Sequence, residues 1–330
     1  MGVVVTGGVR VNKTGGFESM VWENVPLKDG GPGSGEVRIK HTAIGVNYID
    51  TYHRSGIYPV ELPCFLGLEA VGRVIAVGSG VDDFKTGDRV GYASGPIGAY
   101  CEERDFPSDK TIKIPDFIDD ESAASILLKG MTVEYLFNRT YKIKKGELFL
   151  FHAAAGGVGL LACQWASAIG AKMIGTVGSD EKVALVRNSG CEVVVNYNKE
   201  DVAKIVMDKT SGAGVSVGYD GVGKNTFQTT IDCLGSRGLF VSFGQSSGMI
   251  PDVSLHKSFA PKNLYYTRPS LLVYNKTKKE LELSSGAVFE MIKKNKISVG
   301  VGKRYKLKDA ATAHKDLQSR KTTGSLILIP

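Results

Sequence analysis

A run of small residues carries the first chemistry that the chain displays. The apolar stretch Leu148–Phe151 leads into Ala154-x-Gly156-x-x-Gly159 and then into residues of helical character. This is the spacing of a dinucleotide-binding loop, with alanine in the first glycine slot. In that pattern Gly156 lets the backbone approach a pyrophosphate, and Gly159 lets strand and helix pack closely. The helix N-terminus then offers amides and positive dipole to the phosphates. The end of the next strand governs the ribose. A site for a free 2′-hydroxyl places Asp or Glu there, whereas this chain reads Thr176-Val-Gly178-Ser179-Asp-Glu-Lys182. Gly178 leaves room, while Ser179 and Lys182 offer a donor and a cation suited to a 2′-phosphate. Asp180 and Glu181 read as helix-start acids, with a ribose-facing role as the alternative.

These residues need a parallel sheet beneath them, and the chain supplies its pattern. From Lys145 onward, strands over 147–152, 172–177, 192–197, 215–220 and 239–243 alternate with helices over 160–169, 179–189, 201–209 and 225–234. Such alternation predicts a doubly wound α/β sheet. Residues 1 to about 125 follow another rhythm. Short β-rich runs at 36–40, 70–77 and 88–92 are separated by glycine turns, which suits a small, irregular barrel. After residue 270 come two more helices, at 281–294 and 308–319, and a closing strand at 325–329.

Composition bounds the rest. A length of 330 residues favours two domains, and 42% apolar with 23% charged residues excludes a disordered chain. Glycine is abundant at 41 residues, but only 11 prolines and no Gly-x-y period exclude collagen. Five cysteines with no C-x-x-C pair fit a reducing compartment, and the N-terminal residues lack the basic region of a signal peptide. The expected location is therefore the cytoplasm. Residues 148–171 carry no Asp, Glu, Lys or Arg, a length that could span a bilayer. Glycines and Gln164 interrupt them, so they read as a buried strand, loop and helix. Net charge is +7, and residues 257–330 alone hold 16 Lys and Arg against 5 Asp and Glu. That excess is a solvated surface, or an attraction for an anionic cofactor or nucleic acid.

Several stretches, taken together, resemble one family. They are Asn47-Tyr-Ile-Asp-Thr-Tyr-His-Arg-Ser-Gly-Ile-Tyr58, Gly67-Leu-Glu-Ala-Val-Gly72, Lys129-Gly-Met-Thr132, Phe151-His-Ala-Ala-Ala-Gly-Gly-Val-Gly159 and Thr267-Arg-Pro-Ser270. The resemblance is to the quinone oxidoreductases, the zeta-crystallin-like, zinc-independent branch of the medium-chain dehydrogenase/reductase superfamily. It implies a GroES-like β-barrel domain over 1–127 and 270–330, a Rossmann domain over 128–269, NADPH as cofactor, and a homodimer formed through the Rossmann sheets. By position it implies that Asn47 and Tyr52 lie beside the nicotinamide and Thr132 near the diphosphate. Gly157 and Val158 match the phosphate loop, and Lys182 and Tyr197 the 2′-phosphate clamp. Ser242, Phe243, Arg268 and Arg320 match further cofactor contacts.

Zinc enzymes of that superfamily require Cys and His ligands in the first domain. Here the cysteine slot holds Asn47, the histidine slot holds Leu68, and the four-cysteine structural loop is missing. Leucine cannot ligate zinc, and Glu69 alone does not make a site, so no metal is expected. The implied reaction is NADPH-dependent hydride transfer to a quinone, with Tyr52 hydrogen-bonding a quinone oxygen, Asn47 fixing the ring, and Arg54 and Tyr58 lining the entrance. Reduction of α,β-unsaturated carbonyls is the alternative within enzymology. Weak RNA binding by the basic segment is the alternative outside it, although no RNA-recognition motif appears.

Overall fold

The computed structural model describes residues 5–298, 300–319 and 322–330. They divide into two units: Met1–Met131 with Asn275–Lys293 and Val299–Pro330, and Thr132–Tyr274 with Lys294–Ser298. The second unit thus regains residues 294–298, which the sequence reading leaves in the first. The first unit opens with β1 (Val5–Val11), β2 (Met20–Pro26), β3 (Glu36–Val46), helix α1 (Tyr48–Ser55), β4 (Cys64–Phe65) and β5 (Glu69–Val77). There follow β6 (Arg89–Ala93), β7 (Glu103–Pro107), β8 (Ile112–Lys113) and helix α2 (Asp120–Tyr135). The alternation gives no helix over 120–135, and its absence from the reading has a physical cause. Ala123, Ala124, Ile126, Leu127, Met131, Val133 and Tyr135 are all buried, so α2 shows no apolar stripe with a polar opposite face. One signal was available: the Ser122 backbone N–H donates to Asp119 Oδ1 at 2.9 Å, an N-cap arrangement.

The second unit runs β9 (Leu148–Phe151), α3 (Gly157–Ala168), β10 (Lys172–Val177), α4 (Asp180–Asn188), β11 (Val193–Asn196), α5 (Val202–Lys209), β12 (Val215–Asp220), α6 (Phe227–Cys233) and β13 (Leu234–Ser242). It ends with α7 (Leu255–Ser258), β14 (Tyr265–Thr267) and α8 (Leu271–Tyr274). Its sheet has the order β11-β10-β9-β12-β13-β14, with every pairing parallel. The strand order reverses between β9 and β12, the switch point at whose carboxyl ends sheets of this kind bind their ligands. Leu150, Ile174, Val195, Val206, Phe227, Ile231 and Phe240 form one core on this sheet. Burial on both faces explains the unbroken apolar run of β9. No helix among the described residues is long and apolar enough to cross a membrane.

The chain then returns to the first unit with α9 (Lys278–Lys293), β15 (Val301–Lys306), α10 (Ala310–Gln318) and β16 (Ser325–Ile329). Strand β16 pairs with the end of β3, completing a sheet of order β15-β16-β3-β5-β6-β8, with β7 also paired to β3. A smaller sheet, β2-β1-β4, accompanies it. Val9, Val37, Ile39, Leu66, Tyr92, Phe106, Leu326 and Leu328 share their core.

Candidate active site

The glycine loop begins where β9 ends. The Ala154 N–H donates to the Thr176 carbonyl at 3.0 Å, which ties the loop to β10. Helix α3 starts at Gly157, three residues before the expected position, because the poor helix propensity of two glycines conceals its first turn. Gly156 is its N-cap in extended conformation, and no acidic residue stands in the first turn to neutralise the dipole. The glycines have separate reasons to exist. A Cβ on Gly159 would stand 2.5 Å from the Ala153 carbonyl oxygen, so the protein itself forbids one. On Gly156 a Cβ would meet only that oxygen, at 3.3 Å, so the room there is left for something outside the chain. Gly157 and Val158 are half-buried beside it. This arrangement fits a pyrophosphate.

At the end of β10, Ser179 is the N-cap of α4 and Lys182 lies in its first turn, half-buried. A Cβ on Gly178 would stand 2.5 Å from the Tyr197 hydroxyl, which places that phenol directly over the strand end. Asp180 is turned elsewhere: Asn196 Nδ2 donates to its Oδ1 at 2.7 Å, and Lys199 pairs with its Oδ2. Those bonds hold its carboxylate below the usual aspartate range. Glu181 is exposed. At the end of β13, Arg268 Nη1 donates to the Ser242 carbonyl at 2.7 Å and Nη2 to Gln245 Oε1 at 3.3 Å. The Phe243 ring lies 5.5 Å from that of Phe151, and its N–H donates to the Asp220 carbonyl at 2.9 Å. Thr132 is buried in α2. Arg320 lies outside the described residues.

Asp220, which sequence reasoning missed, fixes the turn after β12. Its buried carboxylate accepts from the N–H groups of Val222 (2.7 Å) and Gly223 (3.0 Å) and from the hydroxyls of Thr226 (2.8 Å) and Thr230 (3.2 Å). Beside it, His152 bonds Thr176 Oγ1 through Nδ1 at 3.0 Å, and burial depresses the basicity of its ring.

In the first unit, Asn47 caps α1, and its N–H donates to Asp50 Oδ2 at 2.9 Å. Its Nδ2 donates to Glu69 Oε2 at 2.7 Å, while the Leu128 N–H donates to Oε1 at 2.7 Å. The Tyr100 hydroxyl reaches both Asp50 Oδ2 and His314 Nε2 at 2.9 Å, and Arg54 lies 3.1 Å from His314 Nδ1. Burial raises the Asp50 carboxyl to about 7, opposed by the Asn47 N–H and the Tyr100 hydroxyl. Burial, with the Arg54 charge, lowers His314 to about 3. Tyr52, 6% exposed, lies between the rings of Tyr48 (5.6 Å) and Tyr58 (5.2 Å). Arg54 is a correction. Expected at a substrate entrance, it is 4% exposed, stacks over Phe17, and donates to Gly15 O and Gln318 Oε1. Its role is to hold α1 to α10.

Residues 33–137 match the family described as "Alcohol dehydrogenase GroES-like domain", and residues 157–283 match "Zinc-binding dehydrogenase". A quinone oxidoreductase of Pseudomonas aeruginosa is 48% identical over 300 residues, covering 91% of this chain and 92% of that protein. The structure of Escherichia coli quinone oxidoreductase complexed with NADPH superposes with a TM-score of 0.94. It is 47% identical and covers 98% of this chain and 100% of that one. The chain belongs to the quinone oxidoreductase family. A 2-haloacrylate reductase from a Burkholderia species is a further relative, 42% identical over 327 residues and covering 97% of this chain and 98% of that protein.

One of the two family descriptions implies zinc, which this family member's residues do not fit. Asn47 presents an N–H donor to Glu69 instead of a lone pair, Leu68 is packed and apolar, and the Lys129 ammonium stands 3.6 Å from Glu69. A cation already faces the carboxylate that follows Leu68.

Proposed function

We propose that the chain is an NADPH:quinone oxidoreductase that works by hydride transfer without zinc. The observation that carries this reading is the ribose end of the second unit. A phenol stands over Gly178 where a carboxylate would serve a free 2′-hydroxyl, and Asp180 is tied to Asn196 and Lys199. Lys182 and Tyr197 are then the partners of a 2′-phosphate, aided by Ser179. When bound, NADPH supplies the hydride. The chain supplies binding and orientation. Amides from Gly156 to Gly159 receive the pyrophosphate, with Thr132, Ser242, Phe243 and Arg268 as further contacts. By their positions in the family pattern, Asn47 is assigned to the reacting ring, the Tyr52 hydroxyl to a quinone oxygen as donor, and Tyr58 to the substrate's approach.

The Burkholderia relative favours a second reading, reduction of α,β-unsaturated carbonyls by the same hydride. Edge strand β14 exposes Tyr265 (61%) and Tyr266 (47%), which supports a homodimer through the second unit's sheet. Five free thiols suit the cytoplasm. Any RNA binding by the basic segment is weak, electrostatic and lost with salt. Steady-state rates with a quinone panel and an enal panel, each with NADPH and NADH, test the assignment. Quinones are expected to be the better acceptors, with at least a roughly tenfold preference for NADPH. Equal use of NADH would overturn the ribose-end reading.

A further inference from the structure

Lys129 sits in surroundings uncommon for a lysine. Its side chain is 7% exposed, and Nζ is buried with no hydrogen-bond partner. Glu69, fully buried, has Oε2 at 3.6 Å from it. At that separation the ammonium balances the carboxylate's charge without donating a directional bond. The directional bonds to Glu69 come from Asn47 Nδ2 and the Leu128 N–H. Backbone keeps the space clear, since a Cβ on Gly45 would stand 2.1 Å from Glu69 Oε2. Asp50 of α1 feels the charges of both Glu69 and Lys129, and Tyr100 feels those of Asp50 and Glu69. Two buried acids thus share this interior with one buried ammonium.

The charge on Glu69 dictates the orientation of Asn47. A carboxylate only accepts, so it holds the carboxamide with its NH2 group inward and its oxygen toward the first turn of α1, where Asn47 closes a capping box with Asp50. A protonated Glu69 would donate, and the amide would be free to turn end for end. A buried carboxylate stripped of its counter-charge takes up a proton. We propose that Lys129 is a positioning residue: its buried ammonium balances the charge of Glu69, and through Glu69 it fixes the Asn47 carboxamide and the start of α1, the helix that carries Tyr52. The inference rests on the roles given above to Asn47 and Tyr52.

The test uses Lys129→Met, Lys129→Arg and the double variant Lys129→Met/Glu69→Gln, with NADPH and 1,4-benzoquinone between pH 6 and 9. Lys129→Met is expected to lower kcat about tenfold at pH 6, leave KM for NADPH within about twofold, and recover toward pH 9. Lys129→Arg keeps the charge and removes the pH dependence of the defect. The double variant shows a constant defect, which separates Glu69 from Asp50 and Tyr100, both of which it retains. Thermal midpoints report the same coupling without turnover. Relative to wild type, Lys129→Met holds an extra proton when folded, so its stability falls as pH rises from 5 to 8. A Lys129→Met enzyme that matches wild type, a defect equal at every pH, or a pH dependence surviving in the double variant would each overturn the proposal. If Lys129→Met alone fails to fold, the double variant must fold and show the constant defect. A wild-type protein that reduces neither quinone nor enal overturns the proposed function, while the thermal comparison still judges Lys129.

Discussion

The two units hold their candidate groups by opposite means. In the second, residues 148–159 form strand, turn and helix start in one stretch, and the proposed phosphate contacts are backbone amides of that stretch. In the first, the candidate chemistry stands on buried side chains whose partners are remote in sequence: Asn47 and Glu69 are 22 residues apart, Tyr100 and His314 are 214. Backbone recognition is intolerant of added volume, because any Cβ occupies the ligand's space or the helix's. A side-chain network is intolerant of altered charge, because its buried polar groups are one another's partners.

The largest expected effect breaks the backbone side of this contrast. Gly159→Ala forces a Cβ against a carbonyl, and we expect a loss of about 3 kcal/mol or more in denaturant titrations, together with NADPH binding. Gly156→Ala, with only a 3.3 Å neighbour, keeps its stability within about 0.5 kcal/mol and loses NADPH affinity alone. Full stability in Gly159→Ala would show that the loop yields and that the contrast is too sharp.

The charge side is probed by acid. His41 is buried, with Nδ1 donating to the Cys101 carbonyl at 2.7 Å and Nε2 accepting from the Tyr92 hydroxyl at 3.0 Å, and burial lowers it from 6.5 to about 4. A depressed histidine favours the fold above pH 6.5, and that advantage is lost as pH falls toward 4. Asp50, raised by burial, works in the opposite sense. The clean measure is therefore the stability difference between wild type and His41→Gln, which should shrink by about 3 kcal/mol between pH 7.5 and pH 4. A difference constant with pH would mean that His41 is already charged in the fold.

Next in size is Lys182→Ala, expected to raise KM for NADPH about ten- to a hundredfold and barely touch NADH, read from paired kinetics. Harm to both cofactors alike would turn Asp180 or Glu181 back toward the ribose. Smallest is Tyr52→Phe, with a loss of kcat/KM for quinones of about tenfold or less and unchanged NADPH affinity. A loss beyond about 10³-fold would make Tyr52 a proton donor in the reaction instead of an orienting group.

The same contrast explains what could be read from the sequence. The glycine loop, the Gly178 strand end and the alternation of β9 through β13 were legible because they are local patterns with fixed periods. Helix α2 was not, since burial on all sides erased its stripe, and with it went the setting of Lys129. Arg54 was misplaced for a related reason. Nothing near it in sequence announces His314 and Gln318, which reach it only through tertiary packing. Asp220 followed suit, because a strand-end aspartate gives no local sign that four donors will converge on it.

Strand β16 has a consequence for synthesis. Val46 is paired with Leu326, so the larger sheet of the first unit joins residues roughly 280 positions apart, and such non-local closure is slow. On the ribosome, β3 emerges early and must wait for its neighbour until nearly the whole chain has been translated. The parallel sheet of the second unit, built from residues 148–267, is complete well before that. Assembly is therefore expected to run from the middle of the chain outward, with the early β-strands exposed to chaperones during the interval.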